Sequence, residues 1–372
     1  MKLAFCLFRY FQFGGLQRDF LRIADECLKR GHTIDVYTMR WEGPRDPRLP
    51  VTEIPVRGLQ NHTRSKAFVK HLKPVLADKN YDLVVGFNKM PGLHVYYAAD
   101  TCFQAKMRTW QRLLPRYRHL LAFEKAVFAK PSKTEILLIS KKQQPEFMRY
   151  YGTEASRFHL LPPGIARDRM APANAEEIRR AVRDEFAIRQ DDFLTLMVGS
   201  GFRTKGLDRS LKGIAALPET LKKRTRLFVI GKDNPTRFER QARASGLSEQ
   251  VFFMGGREDV SRFLLAADVL LHPAYHENTG TVLLEAVVSG LPVLTTDVCG
   301  YADYIQQAGA GIVLASPFQQ NSFNQTLHAM LLSPERETWR QNGITFSKTA
   351  DIYDMPKRAV DVIESLYADT RS

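Results

Sequence analysis

Short runs rich in Val, Ile, Leu and Phe recur along the chain, each followed by a glycine-bearing or polar loop and then by a segment with apolar positions at helical spacing. Lys2 to Arg9 is the first run, Tyr10 to Gly15 its loop, and Leu16 to Arg30 the helical segment, closed by Gly31. Further strands are predicted at His32 to Met39, Val51 to Val56, Tyr81 to Phe87 and Glu135 to Ile139, with helices between them. That alternation predicts a parallel α/β sheet. Leu160-Leu161-Pro162-Pro163-Gly164-Ile165 breaks the pattern and leads into the polar, helix-prone stretch 171–189, so it reads as a link to a second half. There strands are predicted at Phe193 to Val198, Arg224 to Ile230, Val251 to Met254, Asp268 to His272, Leu291 to Thr296 and Gly311 to Ala315, after which the chain is helical to its end. The expected domains are 1–163 and 164–354, with the final helix, about 355–372, packed back on the first.

The segment His276 to Gly290 organises the second half. It follows the strand ending at His272 and precedes Leu291 to Thr296, so it reads as loop and helix, with Asn278 or Thr279 as the cap and Gly290 as the terminator. The helix is apolar almost all round, which predicts burial on every side except at Glu285. Glu277 and Glu285, eight positions apart, bracket a helix N-terminus whose free amides at Thr279, Gly280, Thr281 and Val282 form a ready phosphate site. Taken singly, each glutamate reads as an ion-paired or solvated residue. Together they place hydrogen-bond acceptors for hydroxyls on both sides of a phosphate, the layout of a nucleotide-sugar.

Other loops end strands in the same style. Gly14-Gly15 lets backbone approach a ligand at the end of the first strand, or simply makes a tight turn. Asp19 falls in the first turn of the next helix, where the dipole favours it whatever its function. Gly86 to Gly92 ends another strand, and Asp100 closes the apolar Val95 to Ala99. Asp35 has the offset of a dinucleotide-binding acid, but Gly14-Gly15-Leu16-Gln17-Arg18-Asp19 lacks the G-x-G-x-x-G pattern, which leaves NAD a weak alternative. Gly199 to Gly206 is a glycine-rich loop with two cations, Arg203 and Lys205, suited to a diphosphate or else solvated. Arg257, before another helix, can stack on a base or stay in solvent.

The 372 residues exclude a single small core, and 44% hydrophobic content is that of a globular chain. No run has the length of a membrane-spanning helix, and Leu3 to Phe8 is too short for a signal peptide, so a cytosolic location is expected. Cys6, Cys27, Cys102 and Cys299 lack C-x-x-C spacing and read as reduced thiols, neither disulfides nor zinc ligands. The net charge of +14 is one-sided: residues 1–170 hold 30 Lys and Arg against 15 Asp and Glu, residues 171–372 hold 24 against 25. Such a field implies a polyanionic partner for the first half: nucleic acid, an anionic membrane or a phosphorylated substrate.

Glu-x7-Glu in its strand and helix setting resembles the signature of family-4 retaining glycosyltransferases of the GT-B fold. Longer peptides, Tyr10 to Phe20, Val85 to Leu93, Leu161 to Ile165 and Leu294 to Tyr301, are closely similar to the bacterial glucosyltransferases of lipopolysaccharide core biosynthesis. The resemblance implies two facing Rossmann-like domains with a cleft between them, and transfer of glucose from UDP-glucose to the first heptose of the inner core, with retention, at the cytoplasmic face of the inner membrane. It assigns Glu277 to the donor glucose, Glu285 to the ribose, Lys205 to the diphosphate, Arg257 to the uracil side and Gly15 to a backbone contact with the donor. Asp19 and Asp100 would face the reacting sugars. Arg203 lies one position further back than the arginine the relatives carry, and Asn278-Thr279 replaces small residues often found after the first glutamate. The chain has no Asp-x-Asp, and no metal and no cofactor are expected beyond the donor substrate. Another UDP-sugar or another membrane acceptor, such as a phosphoinositide, fits the same spacing. A non-enzymatic polyanion or RNA binder would explain the basic half but none of the second; no nucleic-acid partner is expected.

The most basic stretch is 103–130, with Lys106, Arg108, Arg112, Arg116, Arg118, Lys125 and Lys130 against Glu124 alone. Trp110, Leu113, Leu114, Tyr117 and Leu121 recur at helical spacing, with Pro115 kinking the helix or starting a second one. That is the pattern of an interfacial helix on an anionic inner-membrane surface, or of a stripe packed on the sheet.

Overall fold

In the computed structural model, residues 1–12, 14–58 and 60–369 are described, and they fall into two compact units, Met1–Gly164 with Tyr353–Ser372, and Ile165–Ile352. Phe13, inside the Tyr10 to Phe20 similarity, and residues 370–372 of the expected final helix lie outside the described residues.

The strands of the first unit are β1 (Lys2–Cys6), β2 (Arg9–Phe11), β3 (Thr33–Thr38), β4 (Arg40–Glu42), β5 (Val51–Glu53), β6 (Leu83–Gly86), β7 (Val95–Ala98), β8 (Glu135–Leu138) and β9 (Phe158–Leu160). Seven of them form one parallel sheet in the order β5-β3-β1-β6-β7-β8-β9. Leu3, Phe5 and Leu7 enter one core, Ala4 and Cys6 the other, so the alternation of the strand feeds two buried faces rather than a buried and a wet one. Helix α1 (Gly15–Lys29) lays Phe20, Ile23, Ala24 and Cys27 on the first face. The last helix, Met355–Asp369, joins it there through Ala359, Val360 and Ile363, and Arg30 donates to Asp361 (2.7 Å) and Glu364 (2.8 Å) across the contact. Helices α2 (Asn61–Asp78), α3 (Phe103–Lys106) and α4 (Pro115–Phe128) complete the part of the unit that bears on function. The small pair β2 and β4, which the apolar pattern does not announce, is held by Tyr10 stacked on Trp41 at 3.8 Å.

The second unit has β10 (Phe193–Val198), β11 (Thr225–Ile230), β12 (Val251–Gly255), β13 (Val269–His272), β14 (Val293–Thr296) and β15 (Gly311–Leu314), all parallel, in the order β12-β11-β10-β13-β14-β15. Leu194 and Leu196 face one core while Phe193 and Met197 face the other. Each unit is thus a Rossmann-like α/β layer.

All four cysteines are buried thiols outside any disulfide, and burial alone pushes the Cys6 thiol up to about 12. The basic stretch is not one helix. Thr109–Leu113 is a 3-10 turn, and Pro115 takes the first turn of α4, where its missing N–H is no loss. The stripe divides accordingly: Trp110, Leu113 and Leu114 are 58%, 81% and 41% exposed, whereas Tyr117 stacks on Phe103 and Leu121 is half-buried.

Candidate active site

In the second unit the loop between β13 and the helix Thr281–Val288 is fixed by its backbone. Glu277 forms a parallel bridge with Cys299, and Tyr301 N donates to Thr279 O at 2.8 Å. The cap is Gly280, not Asn278 or Thr279, because the entry to the helix is left-handed (φ 82°), a conformation that costs a side-chain residue but not glycine. Leu283 N is satisfied by Gly280 O, so the amides offered at the helix start are those of Thr281 and Val282. Within the helix Leu283, Leu284, Ala286, Val287 and Val288 are buried, while Thr281, Val282 and Glu285 retain partial exposure.

The glycine-rich loop after β10 meets this loop. Gly206 (φ 79°) closes it against Pro273: a Cβ there would lie 2.0 Å from the Pro273 carbonyl oxygen, so no other residue fits. Tyr275 N then donates to Thr204 O at 2.8 Å, and the Lys205 ammonium forms an ion pair with Glu277 Oε2. Burial lowers the pKa of this lysine. His272 Nε2 lies 3.3 Å from the same Glu277 oxygen. Arg203 is exposed. Arg257 is not merely solvated: it donates to Asp259 through two bonds of 2.7 and 2.8 Å, and it lies over the Phe263 ring at 4.7 Å.

In the first unit Gly15 begins α1, and a Cβ there would meet nothing within 4 Å. Asp19 is the fifth residue of α1, one turn beyond the position where the dipole would favour it, and accepts a 2.8 Å bond from the Tyr97 hydroxyl. That hydroxyl comes from β7, whose carboxyl end leads to the exposed Asp100.

Residues 13–169 match the family described as Glycosyltransferase Family 4, and residues 178–346 the one described as Glycosyl transferases group 1. Lipopolysaccharide glucosyltransferase WaaG of Escherichia coli (strain K12) is 45% identical over 368 residues, which span 98% of this chain and 98% of that protein. The chain belongs to the WaaG family of glycosyltransferases. A crystal structure of WaaG, described as a glycosyltransferase involved in lipopolysaccharide biosynthesis, superposes with a TM-score of 0.92 at 45% identity, covering 97% of this chain and 99% of that one. A sucrose-phosphate synthase from Thermosynechococcus elongatus shares the fold at 18% identity, with a TM-score of 0.80 over 99% of each chain. The two Rossmann-like units are those of a GT-B glycosyltransferase.

Two residues of the site escape the sequence pattern of the WaaG family member. Arg209 is held between the Tyr275 and Phe318 rings (3.6 and 3.7 Å) and donates to the carbonyls of Pro273 and Ala274, both at 3.0 Å, so it braces the loop carrying Glu277. The only sequence signal was its place four residues after Lys205. His272 ends an apolar strand and is fully buried; burial, then the Lys205 charge, pull its pKa down to about 3. In the unfolded chain it titrates near 6.5, so below that pH the unfolded state takes up a proton that the folded state refuses. Unfolding free energy should fall by about 1.4 kcal/mol per pH unit on the acid side of that value. A His272→Asn variant should lack this acid dependence in urea titrations. An unchanged slope would assign the proton uptake to another group.

Proposed function

We propose that the protein transfers glucose from UDP-glucose to the first heptose of the lipopolysaccharide inner core, with retention of configuration, at the cytoplasmic face of the inner membrane. The observation that carries this reading is the full-length relationship to the lipopolysaccharide glucosyltransferase WaaG, in a chain whose Lys205 and Glu277 meet beside open helix amides. Lys205, in contact with Glu277, and the amides of Thr281 and Val282 at the helix start take the diphosphate of the donor. On donor binding Glu277 exchanges its lysine for hydroxyls of the glucose, and Lys205 turns to the charge developing on the departing phosphate. Glu285, the charged residue of the helix, takes the ribose hydroxyls, Asn278 and Thr279 border the glucose, and Arg257 borders the uracil. Gly15 gives backbone to the donor, Asp19 and Asp100 face the reacting sugars, and a departing phosphate oxygen takes the proton of the acceptor hydroxyl. Arg203, exposed on the same loop as Lys205, is a second cation for the diphosphate. On this reading the second unit binds the nucleotide-sugar and the first the acceptor.

The test is a panel of UDP-sugars, each with and without EDTA, offered with a core lipopolysaccharide truncated at heptose. Glucose transfer from UDP-glucose is expected, undiminished by EDTA, with the α-configuration read by NMR. Preference for another UDP-sugar, or activity abolished by EDTA and restored by Mg²⁺, would reject the corresponding part.

The membrane reading rests on a different observation. No helix among the described residues is long and apolar enough to cross a membrane, yet Trp110, Leu113 and Leu114 are exposed among Arg108, Arg112, Arg116 and Arg118. Each cation near an anionic surface contributes about 1 kcal/mol, so a few together hold a protein reversibly. Sedimentation should show salt-sensitive binding to anionic vesicles and none to neutral ones. Binding that survives replacement of the four arginines by glutamine would move the contact elsewhere.

A further inference from the structure

A pocket of about 360 Å³ opens in the first unit beyond the carboxyl ends of β1, β3 and β6, the edge at which parallel α/β sheets receive ligands. The loops that end these strands are tied there: Phe8 N donates to Asn88 Oδ1 at 2.7 Å, and Met39 N to Phe8 O at 3.1 Å. The lining has two characters. Phe8, Phe11, Met39 and Leu120 form an apolar wall, and Arg9, His62, Arg64 and Arg116 bring positive or titratable groups, with no carboxylate among the lining residues. Arg9 has an acidic partner, Glu42 at 3.1 Å, with both side chains about half exposed. Arg64 is half-buried in the opening of α2, a helix with no acidic residue in its first turn and no side-chain cap. A cation in that position works against the helix dipole, and an anion seated in the pocket would offset it.

We propose that this pocket binds an acidic sugar of the acceptor, a ring carrying a carboxylate or a phosphate close to the hydroxyl that is glycosylated. The proposal rests on the reading above that the first unit handles the acceptor. Guanidinium forks take oxyanions bidentately, which explains arginine here where a point charge would not give orientation. The apolar wall packs against the face of a ring, and the volume is that of a small-molecule site. A bare lipid headgroup offers the anion but no ring for Phe8, Phe11 and Met39 to cover.

The test is ligand-observed NMR on the full chain with four probes: glucuronate, glucose 6-phosphate, glucose and glycerol 3-phosphate. The two acidic sugars should bind more tightly than glucose or glycerol 3-phosphate, and should compete with heptosylated acceptor but not with UDP-glucose. Arg64→Gln should weaken their binding by about tenfold, with Arg64→Lys between because charge remains and the fork is lost. Arg9→Gln gives a second variant should Arg64→Gln fail to fold, and melting temperatures separate misfolding from lost contacts. Glucose bound as well as glucuronate, glycerol 3-phosphate bound as well as glucose 6-phosphate, or indifference to both arginine variants would each overturn the proposal. These probes need no turnover. A protein that binds glucuronate but transfers no glucose would reject the proposed activity and leave the pocket standing, and active transfer without probe binding would do the reverse.

Discussion

Glu277→Ala and Glu285→Ala should each lower kcat/KM for glucose transfer by about a hundredfold or more, the effect of losing a hydrogen-bond acceptor whose contact tightens in the transition state. The two variants should differ in how the loss divides. On the proposed reading Glu285 takes the ribose, away from the reacting bond, so its removal should raise the KM for UDP-glucose as well as lower kcat. On the same reading Glu277 takes the transferred sugar, and its removal should fall chiefly on kcat. It also strips Lys205 of its partner, but the lysine side chain is 20% exposed and can find water, so unfolding should shift little. Steady-state kinetics with circular dichroism melts provide the check. Near wild-type turnover in both variants would remove the donor site from this loop and helix.

The largest effect on stability is expected at Glu124, in the first unit. Its fully buried carboxylate accepts from the Lys89 ammonium, from the amides of Phe103 (2.8 Å) and Gln104 (2.9 Å) and from the Tyr151 hydroxyl (2.7 Å). Glu124→Ala leaves a nearly buried ammonium, two amides and a hydroxyl without their acceptor, and breaking a buried pair on one side costs about 3–5 kcal/mol. The urea midpoint should drop with little change of slope. Because Glu124 also secures the start of α3, proteolysis within 106–114 should quicken. Glu124→Gln keeps one oxygen and should lose less. A midpoint equal to that of the wild-type protein would show that the network relaxes without it.

Glu124 also marks the boundary between what pattern reveals and what it hides. In the sequence it is the lone acid of a basic stretch. In the structure it is the anchor of that stretch, because its partners come from segments 20 to 35 residues away that only the fold brings together: Lys89 after β6, the first turn of α3, and Tyr151. The stripe of Trp110 to Leu121 failed as a single helix for a local reason, Pro115, whose consequence was open until the start of α4 was seen. Likewise Asn278 and Thr279 are good caps by residue type, yet the backbone tie of Thr279 to Tyr301 puts the left-handed turn at Gly280.

The alternation of buried strands and helices, the one-sided charge and the glutamate pair bracketing a helix start were legible in the residue pattern. These are written in local spacing, since strand and helix periods and glycine positions need no distant partner to be expressed. Which neighbours each charge meets depends on the fold. It set Lys205 against Glu277, clamped Arg257 with Asp259 over Phe263, buried His272 until it stays neutral, and gathered Arg9, Arg64 and Arg116 around one pocket. The physical reason is that a side chain's charge state and role depend on burial and on groups within a few ångströms, and parallel β–α crossovers bring those groups together from distant points in the chain.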